Sequence, residues 1–181
     1  MIALGSKVSK ALLSHFFLHS DDKLYVNEIA GKLGLDKRNL VKKLKDYENE
    51  GLFKTEKMGN QLYYSLNKKY PLYNEYRKII LKTIGIESSL KEALKDKKDI
   101  QEVYVFGSYA ADKMDSSSDI DVLVIGSIGT VELHKMLSGL QKSINREINV
   151  VNMTEKEYRQ KKRGKDPFIE NVLKCKKIRI I

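Results

Sequence analysis

Apolar residues recur at helical spacing through the first third of the chain. Val8, Leu12, Leu13, Phe16 and Phe17 share one side of a helix that fades at Ser20-Asp21-Asp22. Leu24-Tyr25-Val26 is a short extended piece. Asn27 reads as the N-cap of a second helix carrying Ile29, Ala30 and Leu33, and Gly34 ends it. Asp36 caps a third helix, whose stripe of Leu40, Val41, Leu44 and Tyr47 runs to a stop at Gly51. The period then changes. Residues 52–57 and 62–66 are β-rich runs on either side of Met58-Gly59-Asn60-Gln61, the signal of a hairpin.

A short helix, a tight glycine turn, a basic second helix and a hairpin predict a winged helix-turn-helix over residues 1–70. Its recognition helix would span Asp36–Glu50, with Lys37, Arg38, Asn39, Lys42, Lys43 and Lys45 opposite the apolar stripe. The first three stand at the end that such helices push into the major groove. Lys57, Asn60 and Gln61 on the hairpin tip would reach the backbone or the minor groove. Double-stranded DNA is the partner this expects. The competing reading is a solvated basic face on a module that docks proteins.

Residues 71–98 predict a helical connector of two helices broken at Gly85. Leu72, Tyr76, Ile79, Ile80 and Thr83 share one side of the first. That side either packs on the winged helix or forms a homodimer seam suited to a symmetric DNA site, and both readings stand open. From residue 99 to 181 strands alternate with helices, which predicts a second, α+β domain with a mixed sheet.

Composition narrows the class. The 181 residues carry 34 Lys and Arg against 24 Asp and Glu, a net charge of +10 that favours nucleic acid or polyphosphate as a partner. Hydrophobic residues at 41% and only 2 Pro exclude a disordered or low-complexity chain. Apolar runs such as Val122-Leu123-Val124-Ile125 are far shorter than a membrane span, and the first five residues are too few for a signal peptide. With the single cysteine Cys175 no internal disulfide can form, so the expected location is the cytoplasm.

The chemistry concentrates in the second domain. A strand, Gln101–Phe106, runs into Gly107-Ser108-Tyr109-Ala110-Ala111, and a polar loop from Asp112 to Ser118 leads to Asp119-Ile120-Asp121 and an apolar strand. Gly107 allows close approach of the backbone to a ligand, and Ser108 adds a hydroxyl where exposed N–H groups attract phosphate. Asp119 and Asp121 are two apart on a strand, so both carboxylates point to one face, roughly 7 Å apart along the backbone. Two hard oxygen ligands beside a phosphate cradle suit Mg²⁺, or Mn²⁺, bridging protein and a nucleoside triphosphate.

Phe106-Gly107-Ser108, a spacer, and Ser118-Asp119-Ile120-Asp121-Val122 resemble the signature of the DNA polymerase β-like nucleotidyltransferase superfamily, most nearly its minimal prokaryotic branch. The resemblance covers residue 99 onward. The whole chain is similar to nucleotidyltransferase-type transcriptional regulators. It implies Asp119 and Asp121 as metal ligands, Gly107 and Ser108 on the nucleotide, and transfer of a nucleotidyl group to an acceptor hydroxyl. It also implies a third carboxylate on a later strand. There Ile148-Asn149-Val150 fills the slot with an amide, which cannot serve as a general base. Either Glu147, two residues earlier and on the same side, replaces it, or the domain is a nucleotide sensor without catalysis. An antitoxin that acts on a toxin partner is a further alternative.

Other residues carry less. His15 and His19, four apart on the first helix, permit a shared metal, but a surface or half-buried pair is the simpler reading. His134 reads as surface and Cys175 as buried. Arg146 reads as a partner for one of the acids or for phosphate, although strand alternation argues against its sharing their face. Arg159, Lys161, Lys162, Arg163 and Lys165 read as a solvated helix end or a contact to triphosphate or nucleic acid. Thr154 with Glu157 is a capping box.

Overall fold

The computed structural model describes residues 5–115 and 118–181, so two positions of the polar loop after Asp112 lie outside the described residues. The chain divides into two compact units, Met1–Ile86 and Glu87–Ile181.

In the first unit, α1 (Lys7–Leu18) starts at Ser6, whose hydroxyl accepts from the Ser9 amide. β1 (Leu24–Tyr25), α2 (Val26–Leu33) and α3 (Lys37–Asn49) follow, then the hairpin of β2 (Phe53–Met58) and β3 (Gln61–Leu66). The sheet order is β1-β3-β2, all antiparallel, with Met58 paired to Gln61 across the Gly59-Asn60 turn. Gly34 ends α2 at φ 60, and Asp36 caps α3 by accepting from the Asn39 amide. Leu12, Leu13, Phe16, Ile29, Leu40, Leu44 and Leu52 are all fully buried, so the helical stripes meet in one core. Phe53 joins it, edge-on to Phe16 and stacked on Tyr47. α4 (Tyr73–Thr83) packs on α1, and the Ser14 hydroxyl donates to the Ile84 carbonyl at its end, 2.7 Å away.

The second unit begins along α5 (Ile86–Leu94), followed by β4 (Ile100–Phe106), the one-turn α6 (Gly107–Ala110), β5 (Ile120–Gly126), α7 (Thr130–Ile144) and β6 (Ile148–Met153). α8 (Glu155–Arg163), α9 (Pro167–Lys174) and β7 (Ile178–Arg179) complete it. The sheet order is β6-β5-β4-β7, with β5 and β6 parallel and the other pairs antiparallel, so this is a mixed α+β fold. The parallel pair needs a crossover, and α7 supplies it. Val103, Val105, Val122 and Val124 line one face and are fully buried. On the other face Leu123, Ile125 and Met153 pack against Ile169 and Val172 of α9 and Tyr158 of α8.

Four local expectations are corrected. α2 begins at Val26 rather than after Asn27, because Tyr25 is held in the sheet against Tyr63 and Glu28 accepts from the Tyr25 amide at 3.0 Å. The expected stripe on α4 is split between a packed and an open side. Ile80 and Leu81 are buried there, while Leu72 and Ile79 remain 48% and 46% exposed. His15 and His19 are both buried, with stacked rings, and His15 Nε2 lies 2.9 Å from Asp22 Oδ2. Cys175 is exposed, its thiol 3.3 Å from Asn171 Oδ1.

Candidate active site

Three neighbouring strands bring the candidate residues into one row. Phe106 pairs with Asp121 across β4 and β5, and Asp121 pairs with Asn149 across β5 and β6. The chain leaves β4 through Gly107, at φ +71, a conformation that side chains with a Cβ rarely adopt. A Cβ built on Gly107 would lie 2.1 Å from Asp121 Oδ2. The glycine backbone therefore lies directly against the carboxylate, and only a missing side chain permits it.

Asn149 Nδ2 donates to Asp119 Oδ2 at 3.1 Å, and its side chain also hydrogen-bonds Asp121. Thus the amide in the expected acid slot ties the two carboxylates together. Burial pushes the Asp121 carboxyl above its ordinary value, the bond from Asn149 pulls it back, and the charge of Asp119 raises it again. Glu147 stands just before β6, exposed, its carbonyl accepting from the Ile120 amide at 3.0 Å. It borders the row from outside the strand. Ser108 is half-buried in α6 and its carbonyl accepts from the Lys113 amide.

Arg146 plays a part that sequence reasoning missed. It is 8% exposed, and its Nη1 donates to the Ser118 carbonyl at 2.5 Å, one residue ahead of Asp119. A buried guanidinium thus holds the backbone just ahead of Asp119 and the start of β5. The only sequence signal was a charged residue beside an apolar strand.

Asp119 and Asp121 present hard oxygen donors, and Mg²⁺ needs only one or two carboxylates when phosphates and water complete its shell. Among the described residues no group of three or more His, Cys, Asp or Glu side chains is arranged to hold a metal alone. The donor set therefore fits a metal shared with a phosphate ligand better than a resident ion. His15 and His19, in the first unit, are engaged with each other and with Asp22 rather than forming such a centre.

In the first unit Lys37, Arg38, Asn39, Lys42 and Lys45 on α3 and Lys57, Asn60 and Gln61 on the hairpin are exposed. Lys43 differs: it is half-buried, paired with Asp46 at 3.1 Å and lying over the Tyr47 ring.

Residues 88–177 match the family model described as polymerase beta, nucleotidyltransferase. No curated protein matches the chain. Among solved structures, the chain is similar to the MntA–HpeT toxin–antitoxin pair at 15% identity and TM-score 0.41, over 53% of this chain and 73% of that one. A toxin–antitoxin structure with AMP-PNP is similar at 17% identity and TM-score 0.38, covering 52% and 72%. The tri-AMPylated Shewanella oneidensis HEPN toxin in complex with MNT antitoxin gives 21% identity and TM-score 0.29, covering 37% and 52%. The family match spans Gly107, Asp119, Asp121 and Asn149, so over residues 88–177 the second unit is similar to polymerase β-like nucleotidyltransferase domains.

Proposed function

We propose that this chain binds a nucleoside triphosphate with a divalent metal, Mg²⁺ or Mn²⁺, and transfers its nucleotidyl group to an acceptor hydroxyl. The observation that carries the reading is the packing of the Gly107 backbone against the Asp121 carboxylate, beside Asp119, within the matched family span. Asp119 and Asp121 would hold the metal, whose positive charge offsets the charge that develops on the phosphoryl group. Gly107 and Ser108 would hold the phosphate tail. Asn149 orients the two carboxylates, while Arg146 fixes the backbone that leads into them. Asn149 cannot take a proton at neutral pH, so deprotonation of the acceptor falls to Asp119, Asp121 or Glu147.

The test is label transfer from each α-labelled nucleoside triphosphate, with Mg²⁺ or Mn²⁺, into the protein itself and into a lysate. Label should appear with the native chain and vanish in the Asp119→Asn/Asp121→Asn variant. No label from a protein that binds the nucleotide would leave a non-catalytic nucleotide sensor.

The N-terminal unit supports a second function. Its helix order, the β1-β3-β2 sheet and the exposed Lys37, Arg38, Asn39 and Lys42 favour a winged helix that binds duplex DNA, and with it a role in transcription regulation. Arg38→Ala/Lys42→Ala should weaken duplex binding and flatten its salt dependence by a slope of about 2. Equal binding by that variant would remove α3 from the interface. The antitoxin reading makes the acceptor a protein partner, as in the AMPylated toxin held by its antitoxin. Co-purification of a labelled protein with the native chain would favour it.

A further inference from the structure

Two adjacent sides of α4 carry the same spacing, displaced by one residue. Tyr73, Ile80 and Ile84 belong to the packed side. The Tyr73 ring lies against Phe17, Ile80 is fully buried, and the Ile84 carbonyl accepts from Ser14. Leu72, Tyr76, Ile79 and Thr83 form the second stripe, about 100° round the helix. Leu72 and Ile79 are exposed there, and Tyr76 is half-buried beside Tyr70, with ring centroids 6.1 Å apart. Thr83 spends its hydroxyl on the Ile79 carbonyl at 2.7 Å, so its methyl group is what it offers the stripe. Intervals of four, three and four residues are the alternation that keeps a seam turned toward a second helix.

Charge decides which helix fits. Glu75 and Lys82 flank this stripe on one edge, both exposed, and among the described residues neither is paired with an opposite charge. They stand seven residues apart, whereas partners within one helix stand three or four apart. Neither can therefore satisfy the other in its own chain. A second α4 laid antiparallel, with Tyr76 against Ile79 of the other copy, sets Leu72 against Thr83 by the same register. Glu75 then falls beside Lys82 of the other copy, and the two-fold axis makes this contact twice. A parallel pairing makes neither contact.

We propose that the outer side of α4 pairs with the same side of a second copy of this chain, antiparallel across a two-fold axis. Aromatic and aliphatic side chains fill the centre of the seam and charge lies at its rim, which is the anatomy of protein interfaces. One particle then carries two copies of α3. A seam of one short helix per copy lies at the small end of interface sizes, so association depends on concentration. The proposal requires neither nucleotidyl transfer nor DNA binding.

The experiment is sedimentation equilibrium of the full chain over a concentration series, in which the native chain should pass from monomer to dimer. Glu75→Lys and Lys82→Glu each place like charges together at both symmetric contacts, and each should weaken self-association about tenfold. An equimolar mixture of the two variants should dimerise at least as tightly as the native chain, because every rim contact in the mixed pair joins opposite charges. Ile79→Lys puts a charge at the centre of the seam and should leave a monomer that still unfolds cooperatively in urea, since Ile79 is already open to water. A native chain that stays monomeric at every concentration overturns the proposal and leaves the stripe to a different protein. A dimer that survives Ile79→Lys overturns it as well, and so does a mixture that recovers nothing. Asp119→Asn/Asp121→Asn should associate as the native chain does, so failure of nucleotidyl transfer leaves this seam standing. A dimer lost in that variant belongs to the second unit and overturns the assignment to α4.

Discussion

Alanine at position 107 separates the glycine's role in the fold from its role at the carboxylate behind it. The backbone there sits at φ +71, where a residue with a Cβ costs about 1–2 kcal/mol. The new Cβ would lie 2.1 Å from Asp121 Oδ2, 3.1 Å from its Cγ and 3.4 Å from its Cβ. The last is an ordinary contact, and the middle one needs a shift of a few tenths of an ångström. Only the far end of the Asp121 side chain must leave, by roughly 1 Å to restore van der Waals separation. A flexible carboxylate can make that movement at little cost to folding, but not while keeping its place beside Asp119. A displacement of that size at a reacting centre costs on the order of 100-fold. Gly107→Ala should therefore lose only about 1–2 kcal/mol in urea unfolding. Label transfer should fall on the order of 100-fold, and metal-dependent nucleotide binding, read by calorimetry, should weaken. Wild-type nucleotide affinity in this variant would refute the reasoning, because it would mean that the position of the Asp121 carboxylate does not matter.

Asp121→Asn tests the cost of keeping that acid. Burial raises its folded-state pKa above the ordinary 3.8, so ionisation opposes folding. The penalty is absent below pH 3.8 and fully present once pH exceeds the raised value. The variant should be more stable than wild type at pH 7, with the gain gone at pH 3, while label transfer is abolished. Lower stability at pH 7 would contradict the assignment. Arg146→Met keeps the aliphatic stem and deletes the charged hydrogen bond to Ser118. A loss of about 1.5–3 kcal/mol in denaturant unfolding is expected, with weaker nucleotide binding at full folding. Asp36→Ala removes the cap of α3 and should cost about 1 kcal/mol, read from urea unfolding of the first unit.

The local grammar of this chain was legible without a structure. Apolar spacing marked α1, α2 and α3, Gly34 and Asp36 marked the boundary between two of them, and Gly59-Asn60 marked the hairpin, since each signal depends on neighbours within a few residues. The pair Asp119 and Asp121 was legible for the same reason: a strand's period of two puts both on one face whatever else the chain does. What decided the rest was packing between distant segments. The hydrogen bond from Asn149 to Asp119 joins residues thirty apart, and the one from Arg146 to Ser118 joins residues twenty-eight apart. Neither follows from spacing. The α4 stripe shows the same limit, because helical periodicity leaves several adjacent faces equally apolar and only the partner chooses Ile80 and Leu81 over Leu72 and Ile79. Burial of the two histidines and exposure of Cys175 were likewise set by neighbours. Which residues could carry the chemistry was therefore written into local spacing. That the Gly107 backbone presses on Asp121 and that an amide ties the two acids came from the packing of β4, β5 and β6 against one another, which no local spacing encodes.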